Sequence, residues 1–501
     1  MVGRDWPTRI VMGLGVATLI NALAIATIYG LYPGFLDDNE SSLSIMAQLM
    51  LNGQPVYQAI DTPDRLTHAH GPLTFLWNAW PQLLLPYSAP AWRLGATLFT
   101  VTMPLMVLAS QIRRGAFAAG LAMVLGGAAI ILHLNASVIM RPDMPVTVLV
   151  AVAVWLAGRR DESQGWGTTL ALGLCVGLAM GFKINAVLPF VPVVLFHAAG
   201  GRWLPRLMVI GAVAGLTALT PFLGSAFSLV NFLDMLRHIG GKENTWFDFK
   251  LLWAHFAIYL ILPPLAWAAG GREAWSRADG RTRLYLGAYV VCVLLTLFPA
   301  TKIGAGHYYF MPLIAITVDL TVRATAGTDK RQRRAVLAAL LVVVTMFWQI
   351  DRRFLKSLDW TEARAVTAEI KQIIAENPGQ AIQMGVGGAR VGNQLSLRFY
   401  AYRQGLVATG NPYTLDVGLS MELNKLGVPE PPEMIERLWS CKTNLWLVPK
   451  GESPFILRGS YGATVFSQEF RDTFLLGHEK VASHDIFDVY ACRRQPIAPY
   501  P

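Results

Sequence analysis

The chain has 501 residues, 53% of them hydrophobic and only 15% charged. Soluble domains carry about 25% charged residues, so a chain that is water-soluble throughout is excluded. The net charge of +10 could suit nucleic acid, but the cations gather in short loops between apolar runs. That is how membrane topology, and not a nucleic-acid surface, distributes Lys and Arg.

The first apolar run, Ile10 to Leu31, is too long for the core of a cleavable signal and reads as an uncleaved anchor. Spans are expected at about 10–32, 91–110, 115–137, 144–158, 167–182, 185–200, 205–222, 251–269, 284–300, 308–324 and 335–350, eleven in all. The runs at 144–158 and 167–200 are short for a bilayer and suggest tilted or broken helices.

With the N-terminus inside, the inner loops hold Arg4, Arg9, Arg113, Arg114, Arg159, Arg160, Arg202, Arg206, Arg272, Arg277, Arg281, Arg283, Arg323, Lys330, Arg331, Arg333 and Arg334. The outer loops hold Arg65, Arg93, Arg141, Lys183, Arg237, Lys242, Lys250 and Lys302. The bias is about two to one and fixes the orientation.

The first outer loop, 33–90, opens on Leu36-Asp37-Asp38-Asn39-Glu40, followed by a helical stretch from Ser41 to Leu51 that closes at Asn52-Gly53. One reading is a solvated loop with an Asp cap; the other is a membrane-proximal carboxylate able to act as a base. Tyr57 follows, then His68 and His70, an HxH pair that suits metal less well than donor contact or interfacial packing. Pro72 to Pro86, with Phe75, Trp77 and Trp80, would break the charge alternation if it crossed the membrane. It reads as an interfacial or re-entrant helix.

Arg141-Pro142-Asp143 lies between spans three and four, and Phe182-Lys183-Ile184-Asn185 between two short spans. A turn with a local ion pair and a snorkelling Lys are the plainer readings. The amphipathic stretch 227–250 is a candidate mobile flap in an outer loop. Lys302 to Phe310, with Gly304, Gly306, His307 and Tyr308, combines cations, aromatics and glycines, which suit an anionic ligand. An aromatic interfacial anchor would use the same residues. Together these loops place carboxylates and cations at one outer face, the layout of a site that holds a phosphate and activates a hydroxyl.

After residue 350 short apolar strands at 381–387, 443–449 and 486–492 alternate with helical stretches at 361–376, 413–426 and 432–440. This reads as a small soluble α/β domain, 351–501, on the outer side. Cys441 and Cys492 lie in it, where a disulfide is permitted but not required; Cys175 and Cys292 fall in spans.

In these motifs the chain resembles the GT-C membrane glycosyltransferases, in the branch of lipid A aminoarabinose transferases, protein O-mannosyltransferases and rhizobial galacturonosyltransferases. LDDNESSLSIMAQLMLNGQPVY has the form of that family's acidic first-loop motif and interfacial helix. Measured back from Gly53, Asp38 takes the place of its Asp. HGPLTFLWNAW, RPDMP, FKINAVLPFVPVVLF and KIGAGHYYFMPL resemble later family segments, in order over residues 10–350.

The resemblance implies a polytopic α-helical membrane protein of GT-C fold, residues 1–350 forming the catalytic transmembrane domain. It implies inverting transfer of a hexosyl or pentosyl group from a polyprenyl-phosphate donor to a hydroxyl on a lipid, glycan or protein of the cell envelope. Asp38, or its neighbour Asp37, would be the base and Asp143 would assist. Arg141, Lys183, Lys302, His307 and Tyr308 would bind phosphate, and Glu40, Tyr57 and His70 would contact acceptor or sugar. A divalent cation, Mg or Mn, at Asp38 and Asp143 is left open, since the lipid A branch works without a catalytic metal. The location implied is the bacterial cytoplasmic membrane, multi-pass, with site and soluble domain facing the periplasm or exterior. A transporter, flippase or ligase of lipid-linked saccharides is the alternative; a transporter would show internal repeats and charges deep within its spans.

The orientation has a direct test. A C-terminal alkaline phosphatase fusion is expected to be active and a C-terminal fluorescent-protein fusion exported through Sec to be dark. The reverse pattern would place residues 351–501 inside.

Overall fold

The computed structural model describes residues 6–64, 66, 68–158, 165–242, 244, 262–302, 305–325, 330–388, 395–458 and 464–493. Parts of four sequence expectations lie outside these: residues 251–261 of the eighth span, residues 243 and 245–250 of the flap, Ile303-Gly304 of the late loop, and Arg4, Arg65, Arg159, Arg160 and Lys250 of the loop cations.

Helix α1 is Trp6–Leu31, α2 Asp38–Leu51, α3 Pro72–Leu84, α4 Ala89–Trp92, α5 Leu94–Gln111, α6 Ala116–Leu132, α7 Leu134–Ser137, α8 Asp143–Gly158 and α9 Trp166–Phe182. A 3₁₀ segment, Ile184–Phe190, leads into α10, Val191–Ala198; then come α11, Trp203–Leu219, α12, Leu229–Gly240, and α13, Leu262–Arg277. The later helices are α14, Gly280–Ala300, α15, Ile314–Thr325, and α16, Lys330–Ser357. Among the described residues, five helical stretches are long and apolar enough to cross a membrane: 6–31, 94–114, 203–223, 280–300 and one beginning at 332. The runs at 116–132, 143–158, 166–182 and 184–198 are apolar but shorter. The 184–198 run is broken, as its length suggested: Pro189 sits in the 3₁₀ turn, where it removes an N–H that a continuous α-helix would use.

Small residues let the membrane helices meet. A Cβ on Gly15 of α1 would lie 2.7 Å from the Gly120 carbonyl oxygen of α6, so the two backbones touch directly, as tightly packed membrane helices do.

The first loop folds as two principal helices, α2 and α3. Asp37 caps α2, its Oδ1 accepting from the Asn39 N–H at 2.9 Å, while Asp38 and Glu40 in the first turn oppose the positive end of the helix dipole. Gly53, with φ of +79°, supplies the left-handed residue that ends it. The buried face of α2 (Leu43, Ile45, Met46, Leu49) packs with Tyr57 and Phe75 and with Phe232 of α12. The start of α3 sits on the end of α9. The Gly71 N–H donates to the Phe182 carbonyl at 2.9 Å, and a Cβ on Gly71 would come within 2.2 Å of the Gly181 oxygen. Pro72–Leu84 is thus a separate helix between α2 and α5.

Helix α16 runs through the 350/351 boundary set by composition and ends at Ser357. Beyond it lie α17 (Trp360–Glu376), β1 (Ile382–Met384), α18 (Leu395–Tyr400), α19 (Arg403–Ala408), α20 (Val417–Lys425), α21 (Pro432–Trp439), β2 (Leu445–Pro449), α22 (Gln468–Gly477), β3 (His478–Ser483) and β4 (Phe487–Cys492). The sheet order is β1-β2-β4-β3, with β1 and β2 parallel and the other pairs antiparallel. Three strands match the sequence reading; β3 and the helices α18, α19 and α22 are additional. Glu369 of α17 accepts from the Ile486 and Phe487 N–H groups at 2.8–3.0 Å, tying helix to sheet. Cys441 and Cys492 form a disulfide, with Cα atoms 5.8 Å apart.

One buried pair holds the loop to the bundle. The Arg93 guanidinium, fully buried, pairs with Glu40. It also donates to the carbonyls of Tyr29 (2.9 Å), Tyr32 (2.8 Å) and Gly34 (2.6 Å), the last acceptors of α1 and the turn beyond it. The Tyr29 hydroxyl donates to the other Glu40 oxygen at 2.5 Å. Removing one member of such a pair strands a buried charge and costs about 3–5 kcal/mol. Arg93→Ala is expected to lower the melting temperature in detergent sharply, and Arg93→Met with Glu40→Met by less. Equal loss in the single and double variants would show that the charge pairing is not what stabilises this joint.

Candidate active site

Asp143 is the first residue of α8, buried where that helix begins. The Lys183 ammonium, just beyond the end of α9, donates to its Oδ1 at 2.9 Å, and the Arg141 Nε lies 3.5 Å from Oδ2. The Arg141 guanidinium lies 4.3 Å above the Tyr308 ring and the Lys183 ammonium 3.8 Å from the centre of the Tyr309 ring, contacts that stabilise desolvated cations. Burial works against the charge on both, yet both are held above their usual range: Arg141 by Tyr308, Asp143 and Asp37, Lys183 chiefly by Asp143. Two cations thus face one carboxylate. The influence of Asp37 on Arg141 shows that the first-loop acidic motif and the Arg-Pro-Asp motif are neighbours.

Three carboxylates adjacent in sequence have three different surroundings. Asp37 is the cap of α2. Glu40 is closed off by Arg93 and Tyr29, so the expected acceptor or sugar contact does not fit its position. Asp38 is partly buried and faces the C-terminal region: a Cβ on Gly418 of α20 would lie 3.1 Å from its Oδ2. Burial first, and then the Asp37 charge, raise the Asp38 carboxyl well above the usual carboxylate range, against the pull of Arg403.

Arg403 and Asp416 roof this group, and sequence reasoning missed both. Arg403, buried, donates to the Asp38 carbonyl at 3.2 Å and to the Ser42 hydroxyl. Asp416 caps α20 through the Leu419 N–H at 2.9 Å and accepts from the Tyr413 hydroxyl at 2.7 Å. The His68 Nε2 lies 3.6 Å from its Oδ2. Burial would raise Asp416, but His68 and Arg403 hold it below the usual carboxylate range. Asp416 falls inside the helical stretch expected at 413–426, whereas the helix begins at Val417 with Asp416 as its cap. The ion pairs Lys242–Glu422 and Arg437–Asp64 add the flap and the first loop to the same roof.

His70 stands between floor and roof. Burial, then His68, Arg141 and Lys183, push its imidazole well below the usual histidine range, so it is neutral near pH 7. Its ring lies 6.2 Å from that of His68. Tyr57, expected to contact acceptor or sugar, is instead buried among Phe75, Phe222, Phe227 and Phe232, with its hydroxyl donating to the His70 carbonyl at 2.6 Å. Two further candidates, Lys302 and His307, have protein partners of their own. The Lys302 ammonium donates to the Gly240 carbonyl at the end of α12, at 2.5 Å. The His307 ring stacks on His133, with Nδ1 atoms 2.7 Å apart, so one ring donates and the other accepts.

Among the described residues there is no group of three or more His, Cys, Asp or Glu suited to a metal ion. Asp143 is flanked by an ammonium and a guanidinium, which a divalent cation would have to displace. The residues present therefore do not fit a divalent ion shared by Asp38 and Asp143.

No family model matches the sequence, and no curated protein sequence matches it. Solved structures do. The chain is similar to ArnT from Cupriavidus metallidurans bound to undecaprenyl phosphate, with a TM-score of 0.58 at 17% identity, over 97% of this chain and 99% of that one. It is also similar to the apo state of the same protein, with a TM-score of 0.56 at 15% identity and the same coverage. The chain therefore has the membrane GT-C fold of ArnT, over almost its whole length.

Proposed function

We propose that the chain is a glycosyltransferase that moves a sugar from a polyprenyl-phosphate donor to a hydroxyl acceptor at the outer face of the cytoplasmic membrane. The observation that carries this reading is a carboxylate of raised pKa, Asp38, next in the chain to the Asp37 whose charge acts on the largely desolvated Arg141 beside Lys183, on a fold whose solved counterpart binds undecaprenyl phosphate.

In the reaction the acceptor oxygen forms a bond to the anomeric carbon as the bond from that carbon to the phosphate oxygen breaks, with inversion. The acceptor proton passes to the Asp38 carboxylate, whose raised pKa suits a base. The electron pair of the broken bond leaves with the lipid phosphate, and Arg141 and Lys183 neutralise the charge gained there. Fixed cations already desolvated are effective because they need no reorganisation as charge develops. Asp143 holds the two cations in place, Tyr308 and Tyr309 support them, and neutral His70 offers a hydrogen bond without adding charge. Asp37, with one oxygen occupied by its cap, is the less suited base.

Asp38→Asn keeps size but cannot take up a proton. Its turnover on a polyprenyl-phosphate sugar is expected to fall about 10²–10⁴-fold, the usual worth of a general base, with binding of polyprenyl phosphate retained. Wild-type turnover in Asp38→Asn together with loss in Asp37→Asn would move the base to Asp37; full activity in both would remove the first-loop carboxylates from the chemistry.

The pH profile gives a second test. A base works only when ionised, so activity should fall as pH drops through the raised Asp38 pKa, well above about 4 where carboxylates ordinarily titrate. Asp37→Asn keeps the cap but removes a charge that raises Asp38, so the acid limb of kcat/KM should move to lower pH. An unmoved limb would separate that titration from Asp38.

A further inference from the structure

At the end of the bundle opposite Asp38 lies a cavity of about 990 Å³. Gly158, the last residue of α8, lines it; Asp143, the first, belongs to the other end, about 24 Å away along a 16-residue helix. Arg113, Arg114, Arg277, Arg281, Arg323 and Arg333 converge on it, with Trp155 and Trp267 in its walls.

The arginines are built into place. Arg281 and Arg323 lie on the same Phe196 ring, each guanidinium 4.6 Å from its centroid, and Arg281 also donates to the Phe196 carbonyl at 3.2–3.3 Å. Arg114 and Arg323 share the buried Asp319 carboxylate, at 2.6 and 2.7 Å. The only other carboxylate lining or backing the cavity among the described residues is Asp279, whose Oδ1 accepts from the Thr282 N–H at 2.8 Å. Arg113, Arg114, Arg281 and Arg323 thus outnumber Asp279 and Asp319 before Arg277 and Arg333 are considered.

Topology alone asks for cations in these loops but not that they converge: Arg202 and Arg272 serve it as exposed residues outside the cavity. Excess guanidinium charge between membrane helices, beside aromatic walls, matches the phosphate of a lipid headgroup whose tails stay in the bilayer.

We propose that this cavity binds the phosphate headgroup of an anionic phospholipid from the leaflet on that face, the inner leaflet in the orientation derived above. The site is separate from the transfer chemistry, and its test needs no transfer.

Purified full-length protein is delipidated in detergent and titrated with phosphatidylglycerol or phosphatidylcholine, bound lipid being counted by native mass spectrometry. Wild type should retain phosphatidylglycerol over phosphatidylcholine. Arg113→Ala with Arg281→Ala should weaken that retention about tenfold or more, as loss of a charge-assisted hydrogen bond implies. Arg202→Ala with Arg272→Ala, equal in charge change, should leave it intact. Should the cavity double variant fold poorly, Arg113→Ala alone, at an exposed position, should still weaken retention measurably. Equal retention in wild type and cavity variants, or equal loss in the control, would overturn the site. Thermal stabilisation by inorganic phosphate with none by phosphatidylglycerol would overturn the lipid assignment.

Discussion

The buried pair of Arg93 and Glu40 is the joint on which this end of the bundle depends. Helix α1 ends with carbonyl groups that lack intrahelical partners, in surroundings of low dielectric where such groups are costly. Arg93, at the start of α5, supplies donors to Tyr29, Tyr32 and Gly34 at once. A guanidinium suits this because its planar fork holds several donors in fixed directions. Glu40 neutralises the charge, and being in the first turn of α2 it fixes where that helix starts. The positions of Asp37 and Asp38 follow from that start.

Around this joint the charges are layered. The floor, at the ends of the membrane helices, is positive: Arg141 and Lys183 with Asp143 between them. The level above holds Asp37 and Asp38, and the roof adds Arg403 and Asp416. Each layer shifts the next, since Asp37 supports Arg141 and raises Asp38 while Arg403 draws Asp38 down. Neutral His70 separates floor from roof without tipping this balance. Such a set is sensitive to burial, because the same charges in water would be screened to about a quarter of their interaction.

The helices were largely legible because apolar run length and Lys/Arg alternation are local signals. Pro72 to Pro86 reads, from the same charge alternation and its tryptophans, as an interfacial or re-entrant helix, and a separate helix, Pro72–Leu84, is found there. Long-range pairing was not legible. Asp37, Asp38 and Glu40 look equivalent in a string of four residues, yet one caps, one faces a distant domain and one is buried by an arginine 53 positions away. Arg403 has no local pattern, and Asp416 falls inside the helical stretch expected at 413–426. Lys302 and His307 sat in a loop of suitable composition, but their partners, Gly240 and His133, come from elsewhere in the chain. Strand β3 escaped notice because it is an exposed, polar edge strand with a bulge between Lys480 and Ala482, which hides the alternation that identifies strands.

The roof contact also bears on how the molecule is made. Arg403 and the Asp38 carbonyl it reaches are 365 residues apart. Synthesis proceeds from the N-terminus, and domains fold as units as they emerge. The floor, complete once α9 and the Tyr308–Tyr309 segment have inserted, exists before the roof does. A ribosome that stalls after α16 leaves an inserted bundle with its cations in place and Asp38 open to water, its carboxyl free to return toward an ordinary acidity. The carboxylate therefore acquires its full environment only as the Arg403–Asp416 region docks, after the membrane helices are in place.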